Sequence, residues 1–324
     1  MQAVAKKNKL SLFSKGSGIG EQGLLIVLGV LFVIFSVTSP YFFTVKNLTN
    51  ILGQISLPLI SAIGLSLLVI SGEVDISIGS LQAFVAVPLI VVMNSTGSFV
   101  LGAVTAIVVG AAIGVINGFL VTRLKINSLI ASLGMYYVLR GSVYLITRKV
   151  PIVDEIKGDF FFALGNMKLA RILPYSAILM FVILFVFMYI MKHTTYGRRL
   201  YAVGGNSEVA SHIGINPDKM KFSAFVICST LASVSAILLA SRLGSAQHLA
   251  GTGFEFQVVA AIVLGGVSLA GGIGTLLGAF IGVVIMGIIQ NGLGMLNVDT
   301  MWQLTITGSI IILAVAIDEL KNRR

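Results

Sequence analysis

The chain has 324 residues, of which 56% are apolar and only 10% charged, with a formal net charge of +10 and a mean hydropathy of +1.01. A soluble domain carries about 25% charged residues, so this composition excludes a soluble globular protein. The excess of basic residues is not gathered on any polar domain, which argues against nucleic acid as a partner and for the loops of a polytopic membrane protein.

The first 22 residues, MQAVAKKNKLSLFSKGSGIGEQ, are polar and basic. No small-residue cleavage site follows the next apolar run, which is therefore read as a retained span. Apolar runs predict an all-α polytopic membrane protein with about ten transmembrane helices. They fall near 23–38, 49–71, 77–94, 99–121, 127–147, 174–191, 222–241, 256–270, 275–297 and 302–317. Pro58 and the glycines around 265–274 interrupt the second and eighth, so some spans are expected to be broken or re-entrant. One transmembrane domain, 23–317, then lies between tails 1–22 and 318–324. The 36 glycines suit helices packed closely in a membrane.

With the N-terminus inside, the cytoplasmic segments are 1–22, 123–126, 192–221 and 318–324, plus two tight turns. They hold Lys6, Lys7, Lys9, Lys15, Arg123, Lys125, Lys192, Arg198, Arg199, Lys219, Lys221, Lys321, Arg323 and Arg324, which is 14 of the 22 basic residues. This bias places both termini in the cytoplasm, although Arg148 and Lys149 fall on the outer side. The external segment RKVPIVDEIKGDFFFALGNMKLARILP, 148–174, predicts a short amphipathic or irregular cap. A faint internal echo links IGSLQAFVAV (78–87) with IGTLLGAFIGV (273–283), each after a glycine-rich break.

Three stretches carry possible chemistry. SGEVDISIGS (71–80) sets Glu73 and Asp75 between two apolar spans. Ionisable groups at membrane depth invite a role in a solute path or gate, yet Asp75 or Ser77 also suits the cap of a helix starting near Ile78. Both readings stay open. In HTTYGRRLYAVGGNSEVASHIGIN (193–216), Gly204, Gly205 and Asn206 predict a flexible turn, with Asn206 or Ser207 capping a helix over 207–213. Val209, Ala210 and Ile213 share one face of it. Gly214 is placed at its C-terminal stop, Ile215 at the accompanying apolar contact, and Pro217 blocks continuation. Such a helix either docks on a soluble partner or folds back onto the chain's own helix ends. LGGVSLAGGIGTLLGAF (264–280) follows no strand and lacks the Lys-Ser/Thr ending of a phosphate loop, so tight packing or a re-entrant break is expected.

Other readings are negative. His193, His212 and His248 are dispersed, so no metal site and no cofactor are expected. No nucleophile elbow or catalytic triad order occurs. Cys228 lies in an apolar run, and Arg140 near the outer end of its span is expected to snorkel or pair. Asn117, Gln290 and Asn291 are polar residues inside spans: interhelical contacts or, alternatively, contacts to a solute.

Taken in order, SPYFFTVKNLTNIL, SGEVDISIGSL, HTTYGRRLYAVGGNSEVASHIGIN, VVAAIVLGGVSLAGGIGTLLGAFIG and IIILAVAIDELKNRR resemble the ribose-type permeases of bacterial ABC importers over nearly the whole chain. The resemblance implies a bacterial inner-membrane permease for ribose or a similar monosaccharide. Its expected partners are a second permease subunit (identical or paralogous), a cytoplasmic ABC ATPase, and a periplasmic or lipid-anchored sugar-binding protein. Carried over by position, Gly197, Arg198, Gly204, Gly205, Asn206, Ala210, Ile213 and Gly214 belong to the segment seated on the ATPase. Glu73, Asp75, Ser77, Asn117 and Asn291 become candidates for the translocation path or its gate. Where such permeases often have Gly-x-Asp-[Leu/Ile]-Ser, this chain has Gly72-Glu73-Val74-Asp75-Ile76-Ser77, with an added acid at Glu73. The absence of a Walker A motif fits an energy source on another chain. The alternative, an ion-coupled secondary transporter of a small polar solute, needs ionisable groups in mid-span, and few occur. An intramembrane enzyme is disfavoured by the missing catalytic motifs.

Overall fold

The structure is a computed structural model that describes residues 21–155, 159–170, 172–299 and, between 301 and 313, all but 304, 307 and 311. The tail 318–324, almost all of the tail 1–22, and part of the tenth expected span lie outside the described residues.

Seven of the described helices are long and apolar enough to cross a membrane: α2 (Val45–Ile70), α3 (Ile78–Thr96), α4 (Phe99–Thr122), α5 (Ser128–Thr147), α7 (Tyr175–His193), α10 (Pro217–Leu243) and α12 (Leu276–Met295). Two expected spans are shorter, α1 (Glu21–Thr38) and α11 (Phe254–Leu264). Helix α11 stops at Gly265, earlier than the apolar run suggests. Positive φ at Gly266, Gly271, Gly272 and Gly274 then carries the chain through an irregular break before Thr275 caps α12. Pro58, in contrast, does not interrupt α2. The helix runs through it, and the Ser235 hydroxyl donates to the neighbouring Leu57 carbonyl at 2.9 Å.

Helix α2 is buried along most of its length, with Leu59, Ile60, Ile63, Leu65 and Leu67 fully enclosed. Helix α10 packs against both α2 and α4. The sequence reason is a small-residue stripe on α4, Gly110, Gly114 and Gly118, recurring every fourth residue on one face. A Cβ on Gly114 would sit 2.8 Å from the Phe225 carbonyl oxygen and the Val226 Cα, so only glycine permits this approach. Outward faces are aliphatic and aromatic: Val100, Val104 and Val108 on α4, Leu133, Tyr137 and Leu145 on α5, Val182, Phe185 and Tyr189 on α7. That arrangement suits lipid and not water.

The segments that the alternation of spans assigns to one side meet at one end of the bundle. Lys125 pairs with Asp218 at 2.7 Å, and the Val74 N–H donates to Ser128. At the other end, β1 (Ile152–Val153) pairs antiparallel with β4 (Ser245–Ala246), and β2 (Lys168–Leu169) pairs with β3 (Leu173–Pro174). Between β1 and β2 lies α6 (Asp159–Asn166), whose Phe161 is buried while Phe160 and Phe162 are exposed. The Gly165 N–H donates to the Ser241 hydroxyl, fastening this amphipathic cap to the end of α10. The internal echo does not mark equivalent positions. Ile78 opens α3, whereas Ile273 precedes the cap of α12 by two residues.

Candidate functional site

The stretch 193–216 is two helices, not a loop with one. After α7, the Thr194 backbone turns into α8 (Thr195–Gly205), and α9 (Ser207–His212) follows directly. Gly204 and Gly205 therefore form the last turn of a helix, correcting the expected flexible turn, and the direction changes at Asn206 in extended backbone. The Asn206 side chain accepts from the N–H groups of Glu208 at 3.0 Å and Val209 at 2.9 Å, as an N-cap does. At the other end Gly214 has φ +83°, Ile215 N–H donates to the Ala210 carbonyl and Gly214 N–H to that of Ser211. This is a Schellman stop, and Pro217 begins α10 at the position where its missing N–H costs nothing.

Glycines set where α8 sits. A Cβ on Gly197 would strike the Met191 carbonyl. One on Gly204 would strike the Ile70 carbonyl oxygen and lie 2.6 Å from the Gly272 nitrogen. Gly272 N–H in turn donates to the Ile70 carbonyl at 2.9 Å, and the Tyr201 hydroxyl donates to the Gly274 carbonyl at 2.7 Å. Backbone of α8, the C-terminal end of α2 and the 265–275 break thus touch at one point. On α9, Ala210 is buried, whereas Val209 and Ile213 are 55% and 69% exposed, and Arg198 on α8 is exposed. The face is therefore divided: Ala210 packs against the chain's own helices, while Val209 and Ile213 remain open.

The 71–77 break adjoins this junction. Lys221, in the first turns of α10, pairs with Glu73 at 2.7 Å in a mostly buried position. The Asp75 carboxylate is fully buried; it accepts from the Ser77 N–H at 2.8 Å and hydroxyl at 2.6 Å, and from the Asn117 amide of α4 at 3.2 Å. Asn117 also donates to the Ser77 hydroxyl. Ser77 is the N-cap residue of α3 but its side chain makes no capping bond; it is spent on Asp75 instead. Burial raises the Asp75 carboxyl above its ordinary value of 3.8, while the bonds from Ser77 and Asn117 act in the opposite direction.

Four of the five path or gate candidates, Glu73, Asp75, Ser77 and Asn117, are therefore brought together beside the α8–α9 segment. Asn291 is not. It lies towards the far end of α12, where it exchanges paired amide bonds with Asn47 of α2 at 2.9 and 3.0 Å. Sequence reading missed a second buried site. Arg140 does not snorkel; it is 6% exposed and donates to the carbonyls of His248 and Ala250, both at 2.8 Å. Glu255 is buried nearby, with its Oε2 left without a hydrogen-bond partner. The signal available was an ionisable residue inside or at the edge of an apolar run. Among the described residues no group of three His, Cys, Asp or Glu side chains is placed to hold a metal ion.

Helices of this number and length, with glycines and amides turned inward and aliphatic side chains outward, define a multi-pass α-helical membrane protein. The chain belongs to the family described as branched-chain amino acid transport system / permease component, whose profile matches residues 47–315. It is 37% identical over 306 residues to the ribose import permease protein RbsC of Escherichia coli, covering 93% of this chain and 94% of that protein. The L-arabinose ABC transporter permease protein AraH of Azospirillum brasilense is 36% identical over 310 residues, covering 94% and 89%. The ribose import permease protein of Haemophilus influenzae is 33% identical over 314 residues, covering 96% and 97%. No solved structure matches the chain. The family consists of ABC permease components, so the chain is a transport subunit and not an enzyme.

Proposed function

We propose that the chain is the membrane-spanning subunit of an ATP-driven, binding-protein-dependent importer of a monosaccharide such as ribose or arabinose in the bacterial inner membrane. One permease domain, 23–317, forms the pathway with a second permease subunit, and both tails are cytoplasmic. An ABC ATPase docks on the segment 192–221, and a soluble or lipid-anchored binding protein delivers sugar on the opposite side. The cargo assignment follows the relatives matched over nearly their full length, which are named for ribose and arabinose. The family description names amino acids and covers a wider set of permeases.

The observation that carries the coupling role is the exposed Val209 and Ile213 on a helix whose backing is rigid. An apolar pair held out by a capped, Schellman-terminated helix suits a groove on a soluble partner. The flanking helices carry the contacts onward: Gly204 of α8 lies against Ile70 and Gly272, and Lys221 of α10 pairs with Glu73. Co-purification from detergent tests this. The unmodified chain should bring down an ATP-hydrolysing subunit, and Ile213→Asp should abolish the association while leaving the chain folded. Sugar uptake by the purified chain alone, driven in liposomes by an ion gradient, would overturn the importer reading in favour of a secondary transporter.

A further inference from the structure

A cavity of about 360 Å³ opens at the end of the bundle opposite α8, lined by Asn47, Gln54, Gln290, Asn291, Gly294 and Met295. Its position follows from α2, whose last residue touches α8 while Asn47 lies 23 residues, or roughly 35 Å, towards the other end. The volume falls in the usual range of small-molecule sites, about 300–1,000 Å³. Four side-chain amides line it, and no ionisable side chain does. Asn47 and Asn291 satisfy one another, and Gln290 accepts from Gln257 at 3.1 Å. Among the described residues the Nε2 groups of Gln54 and Gln290 donate to no protein acceptor. Gln54 is exposed and Gln290 half-exposed, so both Nε2 groups face the open cleft and are free to donate to a solute that enters it.

We propose that the α2–α12 seam is a subsite for a neutral, hydroxyl-rich solute on its way through the membrane, with Gln54 and Gln290 as the residues that contact it. The inference rests on the transport reading and adds a place and a selectivity to it. Side-chain amides offer donors and acceptors together, as a polyhydroxylated ring requires, and Met295 supplies an apolar flank for its C–H face. A zwitterionic amino acid would find no counter-charge here.

The test uses the chain's own chemistry, since its single cysteine, Cys228, is buried and unavailable to polar reagents. Gln54→Cys and Gln290→Cys are introduced separately into the full chain with its partner subunits and treated with a charged, water-soluble thiol reagent. Reaction at both positions is expected, slowed by about twofold or more when D-ribose or L-arabinose is raised to its dissociation constant, and unchanged by L-leucine. Lack of reaction, protection by leucine, or protection by a second permease copy irrespective of sugar would each overturn the proposal. In parallel, Gln54→Leu should lower the maximal uptake rate about tenfold with wild-type amounts of protein in the membrane, and an unchanged rate would count against it. Failure of the importer reading appears separately, as absent ATP-dependent uptake by the unmodified chain.

Discussion

Gly204 and Gly205 are chemically identical neighbours in one helical turn, and the structure gives them opposite tolerances. In Gly204→Ala the new methyl must displace the Ile70 carbonyl and the Gly272 nitrogen, both backbone atoms that cannot rotate away. Overpacking of this kind costs about 1–3 kcal/mol, and separating the Gly272–Ile70 hydrogen bond adds about 0.5–1.5 kcal/mol. Alanine recovers about 1 kcal/mol of helix propensity, leaving a net loss of about 0.5–3.5 kcal/mol. In Gly205→Ala nothing lies within 4 Å of the added carbon, so only the propensity gain of at most about 1 kcal/mol remains. Thermal unfolding of the two variants in detergent, followed by intrinsic fluorescence, reads the difference. Gly204→Ala should melt below the unmodified chain and Gly205→Ala at or above it. A Gly204→Ala protein as stable as the parent would refute the close approach of α8 to α2.

Asn206→Ala removes the cap of α9 and should cost about 1 kcal/mol, seen as faster amide exchange confined to 207–212. Exchanging the charges one at a time, Glu73→Lys or Lys221→Glu, should destabilise by about 1–2 kcal/mol, whereas the double exchange should recover most of the loss in a double-mutant cycle. For Asp75 the sign follows from its raised value. The folded chain holds that proton more tightly than the unfolded chain. The group's contribution is therefore present below the ordinary value of 3.8 and is lost as pH rises through the raised one. Asp75→Asn should accordingly flatten the decline of melting temperature with rising pH, measured in detergent across the acidic and neutral range. Gly114→Leu should split α4 from α10 and yield aggregated protein on size exclusion, while Gly134→Ala, with open space around it, should remain monodisperse.

Apolar runs located the long helices because burial in lipid demands unbroken apolar length, and that signal is local in the chain. The caps of α9 were legible for the same reason: Asn206, Gly214 and Pro217 act on backbone within a few residues of themselves. What escaped depends on contacts far apart in sequence. Gly204-Gly205 reads as a turn locally, and only the approach of Ile70 and Gly272 explains glycine inside a helix. Ser77 reads as a cap until Asp75 and Asn117 claim its hydroxyl. Arg140 reads as a residue that snorkels or pairs, and its sequence does not choose between them because the carbonyls of His248 and Ala250 that hold it are more than a hundred positions away.

Helix α2 joins the two ends of the molecule as one rod. Its 26 residues make it about 39 Å long, so pivoting it by about 5° at Ile70 would sweep Gln54 and Asn47 sideways by about 2–3 Å. That is enough to make or break an amide hydrogen bond. Pro58, which withholds one intrahelical bond in mid-rod, sets the point at which such a lever would flex first.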